Sequence, residues 1–163
     1  MSKTFNVLVL CTGNSARSIL GEMLFKHLGR GRIEAWSAGS KPGGVVNPVA
    51  LETLGKHGVP CEGARSKSWD EFAAPSAPTL DFIFTVCGNA AAETCPVWPG
   101  HPTTAHWGIP DPAHVEPMEA RRAAFEEAYQ SLKKRIEGFL ALPLETMTPP
   151  EVTQAARRIH TGG

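Results

Sequence analysis

The stretch Val7 to Ser18, VLVLCTGNSARS, constrains this chain more than any other. Val7-Leu8-Val9-Leu10 is an apolar run suited to a strand buried on both faces. Cys11 follows at once, and Arg17 comes six positions later. Thr12, Gly13, Asn14, Ser15 and Ala16 between them are small or polar. Ile19, Leu20, Met23, Leu24 and Leu28 then recur at helical spacing. The segment reads strand, tight loop, helix. Such a loop turns its N–H groups onto an oxyanion, with the helix N-terminus behind them. No Gly-Lys-Ser/Thr follows, so it is not a nucleotide-binding P-loop.

The residue types suit that chemistry. A tetrahedral oxyanion needs several N–H donors, and small residues let the backbone come close. Gly13 and Asn14 are the residues best able to adopt a left-handed backbone there. Arg17 offers a planar fork that holds two oxygens at once. The same positive potential lowers a thiol pKa from its free value of about 8.5, which makes Cys11 a candidate nucleophile. Ser18 can donate its hydroxyl to that sulfur. A free cysteine is more often a small buried hydrophobe. Arg17, Ser18 and the strand–loop–helix setting argue against that for Cys11.

CTGNSARS resembles the active-site loop of the low-molecular-weight protein tyrosine phosphatase superfamily. Its wording is closer to the arsenate reductases within it than to the phosphatases. The resemblance runs from about Phe5 to Leu140. It implies an α/β three-layer sandwich, a four-stranded parallel sheet with helices on both faces. The alternation of strands and helices along the chain agrees with a parallel sheet of that kind.

Downstream, Glu34 to Gly39 reads as a short strand. Asn47 and Pro48 read as the cap and first turn of a helix carrying Val49, Ala50, Leu54 and Val59 inward. Ser68 is a cap candidate for a short turn ended by Pro75 and Pro78. Asp81 to Val86 is a second strongly apolar strand, and Cys87 follows it directly. In an open parallel sheet, ligands bind beyond the carboxyl ends of the strands, so Cys11 and Cys87 should share an edge. Thr103 to Trp107 is a further short strand, and Asp111-Pro112 lies in the loop after it. Met118 to Leu142 is the longest helical pattern, with Phe125, Ala128, Leu132, Ile136 and Phe139 as its buried stripe. Thr148-Pro149-Pro150-Glu151 has the form of a capping box, followed by the amphipathic positions Val152, Ala155, Ala156 and Ile159.

FTVCGNAAAETCPVWPG resembles the redox segment of arsenate reductases, which makes Cys87 and Cys95 relay thiols. The resemblance implies that Cys11 attacks arsenate and that Cys87 then attacks Cys11. Arsenite leaves, and Cys95 attacks Cys87 in turn. HWGIPDPA resembles the Asp-Pro loop of the superfamily, with Asp111 as general acid. No aromatic residue follows Asp111-Pro112, which counts against a phosphotyrosine substrate. Some arsenate reductases bind a potassium ion beside the loop. Asn14, Glu22 and Ser37 match its ligand positions, while Ser68 stands where a carboxylate is expected. His101 and His106 read as loop histidines, and Cys61 as structural.

The remaining bounds come from composition. A chain of 163 residues suits one domain with a real core. Sixteen basic and sixteen acidic residues balance, which gives no reason to expect a nucleic-acid partner. No apolar run approaches membrane-spanning length, and no secretory signal is expected in front of Val7. A cytoplasmic setting is therefore expected, where four cysteines are better read as catalytic thiols than as a disulfide framework. No cysteine pair has zinc-knuckle spacing, so no metal or cofactor is expected. Residues 1–142 are expected to form the catalytic domain and 143–163 a C-terminal extension with a short helix. The leading expectation is an arsenate reductase, its electron donor thioredoxin or glutathione with glutaredoxin. The alternative is a phosphatase using Cys11, Arg17 and Asp111 alone.

Overall fold

The computed structural model describes residues 5–11, 16–29, 32–39, 44–59, 66–73, 80–86, 103–107, 112 and 115–162. The apolar run after Asn6 lies in strand β1 (Phe5–Cys11), which has parallel partners on both edges. β2 (Ile33–Gly39) runs beside its whole length, with Phe5 opposite Ile33 and Cys11 opposite Gly39. β3 (Phe82–Thr85) takes the other edge, with Leu10 opposite Thr85. β4 (Thr103–His106) adds to β3 and completes a four-stranded parallel sheet of order β2-β1-β3-β4. His106 thus closes a strand rather than sitting in a loop. His101 and Cys61 lie outside the described residues.

Alternation along the strands divides the core between the two faces. Phe5, Val7 and Val9 join a large cluster. It is completed by helices α1 (Arg17–Leu28) and α2 (Pro48–Lys56) and by the helices that follow the sheet. Leu8 and Leu10 face the other way, onto Ala38, Ile83, Trp69 and Leu80. Trp69 immediately precedes the short helix α3 (Asp70–Ala73). Covering both faces is what lets the run Val7–Leu10 of this inner strand be apolar on both sides.

Helix α1 begins at Arg17, two residues before the apolar periodicity starts. It lies close on β1. A Cβ added at Gly21 would stand 3.0 Å from Val9 Cγ1, so only a glycine gives this approach without displacing Val9. The caps expected from the sequence are formed. Asn47 Oδ1 accepts from Val49 N–H at 2.9 Å, with Pro48 in the first turn of α2. Ser68 Oγ accepts from Asp70 N–H at 3.1 Å at the start of α3.

The long helix α4 (Met118–Leu140) buries Phe125, Ala128, Tyr129, Leu132, Ile136 and Phe139. Phe139 meets the rings of Phe82, Phe84 and Trp107 edge-on. Arg32 reaches from the α1–β2 connection to the carbonyls of Leu140 and Leu142 and to Glu145 at 2.9 Å. It thereby satisfies oxygens that a helix C-terminus leaves without internal partners. Helix α5 (Pro149–Gly162) opens with a reciprocal capping box. Thr148 N–H donates to Glu151 Oε1 at 2.8 Å, and Glu151 N–H donates to Thr148 Oγ1 at 3.4 Å. Val152, Ala155 and Ala156 of α5 are buried in the body of the protein. Among the described residues, no helix is long and apolar enough to cross a membrane.

Candidate active site

The site is built at the carboxyl edge of the sheet. Cys11 is the last residue of β1. Beside it, Val86 N–H donates to the Leu10 carbonyl at 2.9 Å as the chain leaves β3. One strand further on, Trp107 N–H donates to the Thr85 carbonyl at 2.7 Å as the chain leaves β4. The exits of β1, β3 and β4 are therefore neighbours on one edge. Cys87 is the next residue after Val86, and Asp111 is four residues beyond Trp107. Cys87, Cys95, Asp111 and the loop residues Thr12, Gly13, Asn14 and Ser15 lie outside the described residues.

Helix α1 presents its N-terminus at the same edge. Ala16 is its cap residue and supplies no side-chain hydrogen bond. The first turn carries no acidic residue, so nothing there offsets the positive end of the helix. Arg17 is the first helical residue, and its Nε is shielded from solvent. Ser18 is fully buried. A thiol at the end of β1, a cationic fork at the head of α1 and a helix N-terminus whose first turn carries no acidic residue can together hold and polarise a small anion.

Behind this edge lies a buried charged cluster. Glu22, one turn along α1 from Ser18, is only 2% exposed. Its Oε1 accepts the Ser37 hydroxyl from β2 and stands 3.7 Å from Lys67 Nζ. Its Oε2 stands 3.0 Å from Lys26 Nζ. Lys67 is itself buried, at 6% exposure. It is placed there by a short stretch that runs beside the end of β2. Gly39 N–H donates to the Lys67 carbonyl, and Trp69 N–H to the Gly39 carbonyl, both at 2.9 Å. Sequence reasoning singled out Glu22 and Ser37 but passed over Lys67. A lone lysine in GARSKSWDEF carries no periodicity; the one available signal was its adjacency to Ser68. Among the described residues, no group of three His, Cys, Asp or Glu is placed to hold a metal ion.

A family model described as low molecular weight phosphotyrosine protein phosphatase matches residues 6–148. The chain belongs to that family. Within the low molecular weight phosphatase family, its sequence is similar to an arsenate reductase of Shouchella clausii. The two are 35% identical over 140 residues, which cover 85% of this chain and 96% of the relative. Two solved structures mark the breadth of the fold. An arsenate reductase from Archaeoglobus fulgidus is 27% identical with a TM-score of 0.59, over 80% of this chain and 98% of that one. The tyrosine phosphatase AmsI of Erwinia amylovora is also 27% identical, with a TM-score of 0.62, over 82% of this chain and 89% of that one. Equal likeness to a reductase and to a phosphatase means that the low molecular weight phosphatase fold alone does not choose the chemistry. The choice rests on which thiols accompany Cys11.

Proposed function

We propose that this protein is an arsenate reductase that works by a relay of three thiols. The observation that carries the reading is the hydrogen bond from Val86 N–H to the Leu10 carbonyl. It ties the residue before Cys87 to the residue before Cys11. A phosphatase has no use for a second thiol directly after Val86 in the sequence. The similarity in sequence to arsenate reductases supports the same reading.

In the reaction, arsenate binds in the loop from Thr12 to Arg17. The Cys11 thiolate attacks arsenic, and Asp111 protonates the departing oxygen, which leaves as water. The Cys87 thiolate then attacks Cys11 Sγ. The electron pair of the sulfur–arsenic bond passes to arsenic, so As(V) leaves as arsenite, As(III), and a Cys11–Cys87 disulfide forms. Cys95 attacks Cys87, freeing the Cys11 thiolate and leaving a Cys87–Cys95 disulfide. The two electrons are returned by a thiol donor, either the dithiol of thioredoxin or two molecules of glutathione with glutaredoxin. Each exchange needs its own in-line thiolate. Residues 1–142 carry this chemistry, in a cytoplasmic setting where the thiols stay reduced. Residues 143–163 form an extension whose helix α5 packs on that unit.

Disulfide mapping after one equivalent of arsenate tests the proposal. Wild type should form an arsenate-dependent disulfide involving Cys87. Cys87→Ser should bind arsenate and release no arsenite. Cys95→Ser should release one equivalent and stop as the Cys11–Cys87 disulfide. Absence of any arsenate-dependent disulfide at Cys87 replaces the reductase reading with the phosphatase one.

A further inference from the structure

The potassium ion that some arsenate reductases bind beside the loop does not fit the residues at Glu22. Both carboxylate oxygens already face cations of the chain itself, Lys67 at 3.7 Å and Lys26 at 3.0 Å. The Ser37 hydroxyl donates to Glu22 Oε1 and so ties β2 to the same carboxylate. A monovalent ion added here would be a third positive charge around one carboxylate, in a pocket where Glu22 is 2% and Lys67 6% exposed. Repulsion between like charges is weakly screened at such depth.

We infer that Lys67 is a built-in replacement for that ion: a positioning residue whose buried ammonium holds Glu22 in place and frees this protein from dependence on potassium. The geometry explains what is held. Glu22 lies on α1 one turn beyond Ser18, and Ser37 lies on β2 two residues before Gly39, the register partner of Cys11. The link Lys67–Glu22–Ser37 therefore joins the helix that begins at Arg17 to the strand beside Cys11. Lys26 cannot fill the role alone, because its side chain is 42% exposed and its charge is shared with water. The effect on arsenate turnover rests on the proposed reductase activity; the effect on stability does not.

The test compares melting temperature and arsenate kinetics in potassium chloride and in tetramethylammonium chloride at equal ionic strength. Wild type should give the same Tm and KM in both salts. Lys67→Met keeps the apolar stem and removes the charge. It should melt roughly 10 °C lower in tetramethylammonium chloride, as expected when a buried ion pair loses one partner. Potassium should then raise its Tm saturably and lower its KM for arsenate more than it changes kcat. Lys67→Arg should remain insensitive to potassium. If Lys67→Met does not fold, the double variant Glu22→Gln/Lys67→Met removes both charges, and it should fold and ignore potassium. A potassium-specific rise in wild-type Tm overturns the inference, as does a folded Lys67→Met that potassium leaves unchanged. Salt responses as expected in a protein that forms no arsenite would overturn the reductase reading and leave the role of Lys67 standing.

Discussion

The indole Nε1–H of Trp107 donates to the backbone carbonyl of Ala156 at 2.9 Å in the buried core. Trp107 is the residue at which the chain leaves β4, and Ala156 is in the middle of α5. The C-terminal helix is thus fastened to the sheet at the strand exit that leads to Asp111. Trp107→Phe removes the donor and leaves a void beside Phe84, whose ring centroid is 4.1 Å away. The variant should lose about 1–3 kcal/mol. Thermal unfolding measures the loss, and proteolysis should cut first within α5.

Two glycines should respond to alanine with opposite signs. A Cβ at Gly29 would fall 2.6 Å from Ile33 Cβ and 2.7 Å from the Phe25 carbonyl oxygen. Gly29→Ala should therefore destabilise by roughly 1–3 kcal/mol through overpacking. Gly55, in the last turn of α2, has nothing within 4 Å of an added Cβ. Gly55→Ala should stabilise by up to about 1 kcal/mol. Urea unfolding of the two variants beside wild type decides both.

Glu126 on α4 binds α2 through His57 Nε2 at 2.8 Å and Lys56 at 3.3 Å. The hydrogen bond from Gln130, followed by those from His57 and Lys56, holds its pKa down to about 2 from an ordinary 4.5, against the effect of burial. A depressed carboxyl pKa stabilises the fold above the unfolded value, and that stability is lost as pH falls through the folded one. Wild type should thus lose stability between about pH 4.5 and 2 through this group, and Glu126→Gln should flatten that limb. At neutral pH the substitution should cost about 1 kcal/mol or less, as expected of a partly exposed pair. Thermal melts across the acid range test it.

Arg17→Lys replaces a fork by a point charge at the head of α1 and should lower kcat/KM for arsenate roughly 10²-fold. The alkylation rate of Cys11 against pH should titrate clearly below the free-thiol value of about 8.5. A midpoint at that value would remove the electrostatic role given to the helix N-terminus.

Local grammar made much of the fold legible. Asn47-Pro48, Ser68 and the Thr148/Glu151 pair all cap helices as their residue types require, because a cap is decided within three or four residues. The apolar runs at Val7 and Phe82 named the inner strands for the same reason. Arg32, Lys67 and Trp107 were opaque. Arg32 reaches Glu145 across 113 positions, and Trp107 reaches Ala156 across 49. No periodicity marks such partners. In the site, Cys11, Arg17 and Ser18 were readable as one contiguous motif. The roles proposed for Cys87, Cys95 and Asp111 rest on resemblance, since nothing local distinguishes a relay thiol from a buried one.

β1 is an inner strand, laddered to β2 up to Cys11 itself and to β3 up to Leu10. The backbone leading into Cys11 is therefore held on both sides through Leu10, and at Cys11 itself by β2. A sulfur–sulfur bond forms only at about 2 Å, so in the proposed relay the travel falls to the incoming thiols. In the proposed relay Cys11 is the terminal that the sheet holds, and the circuit closes through thiols brought to it.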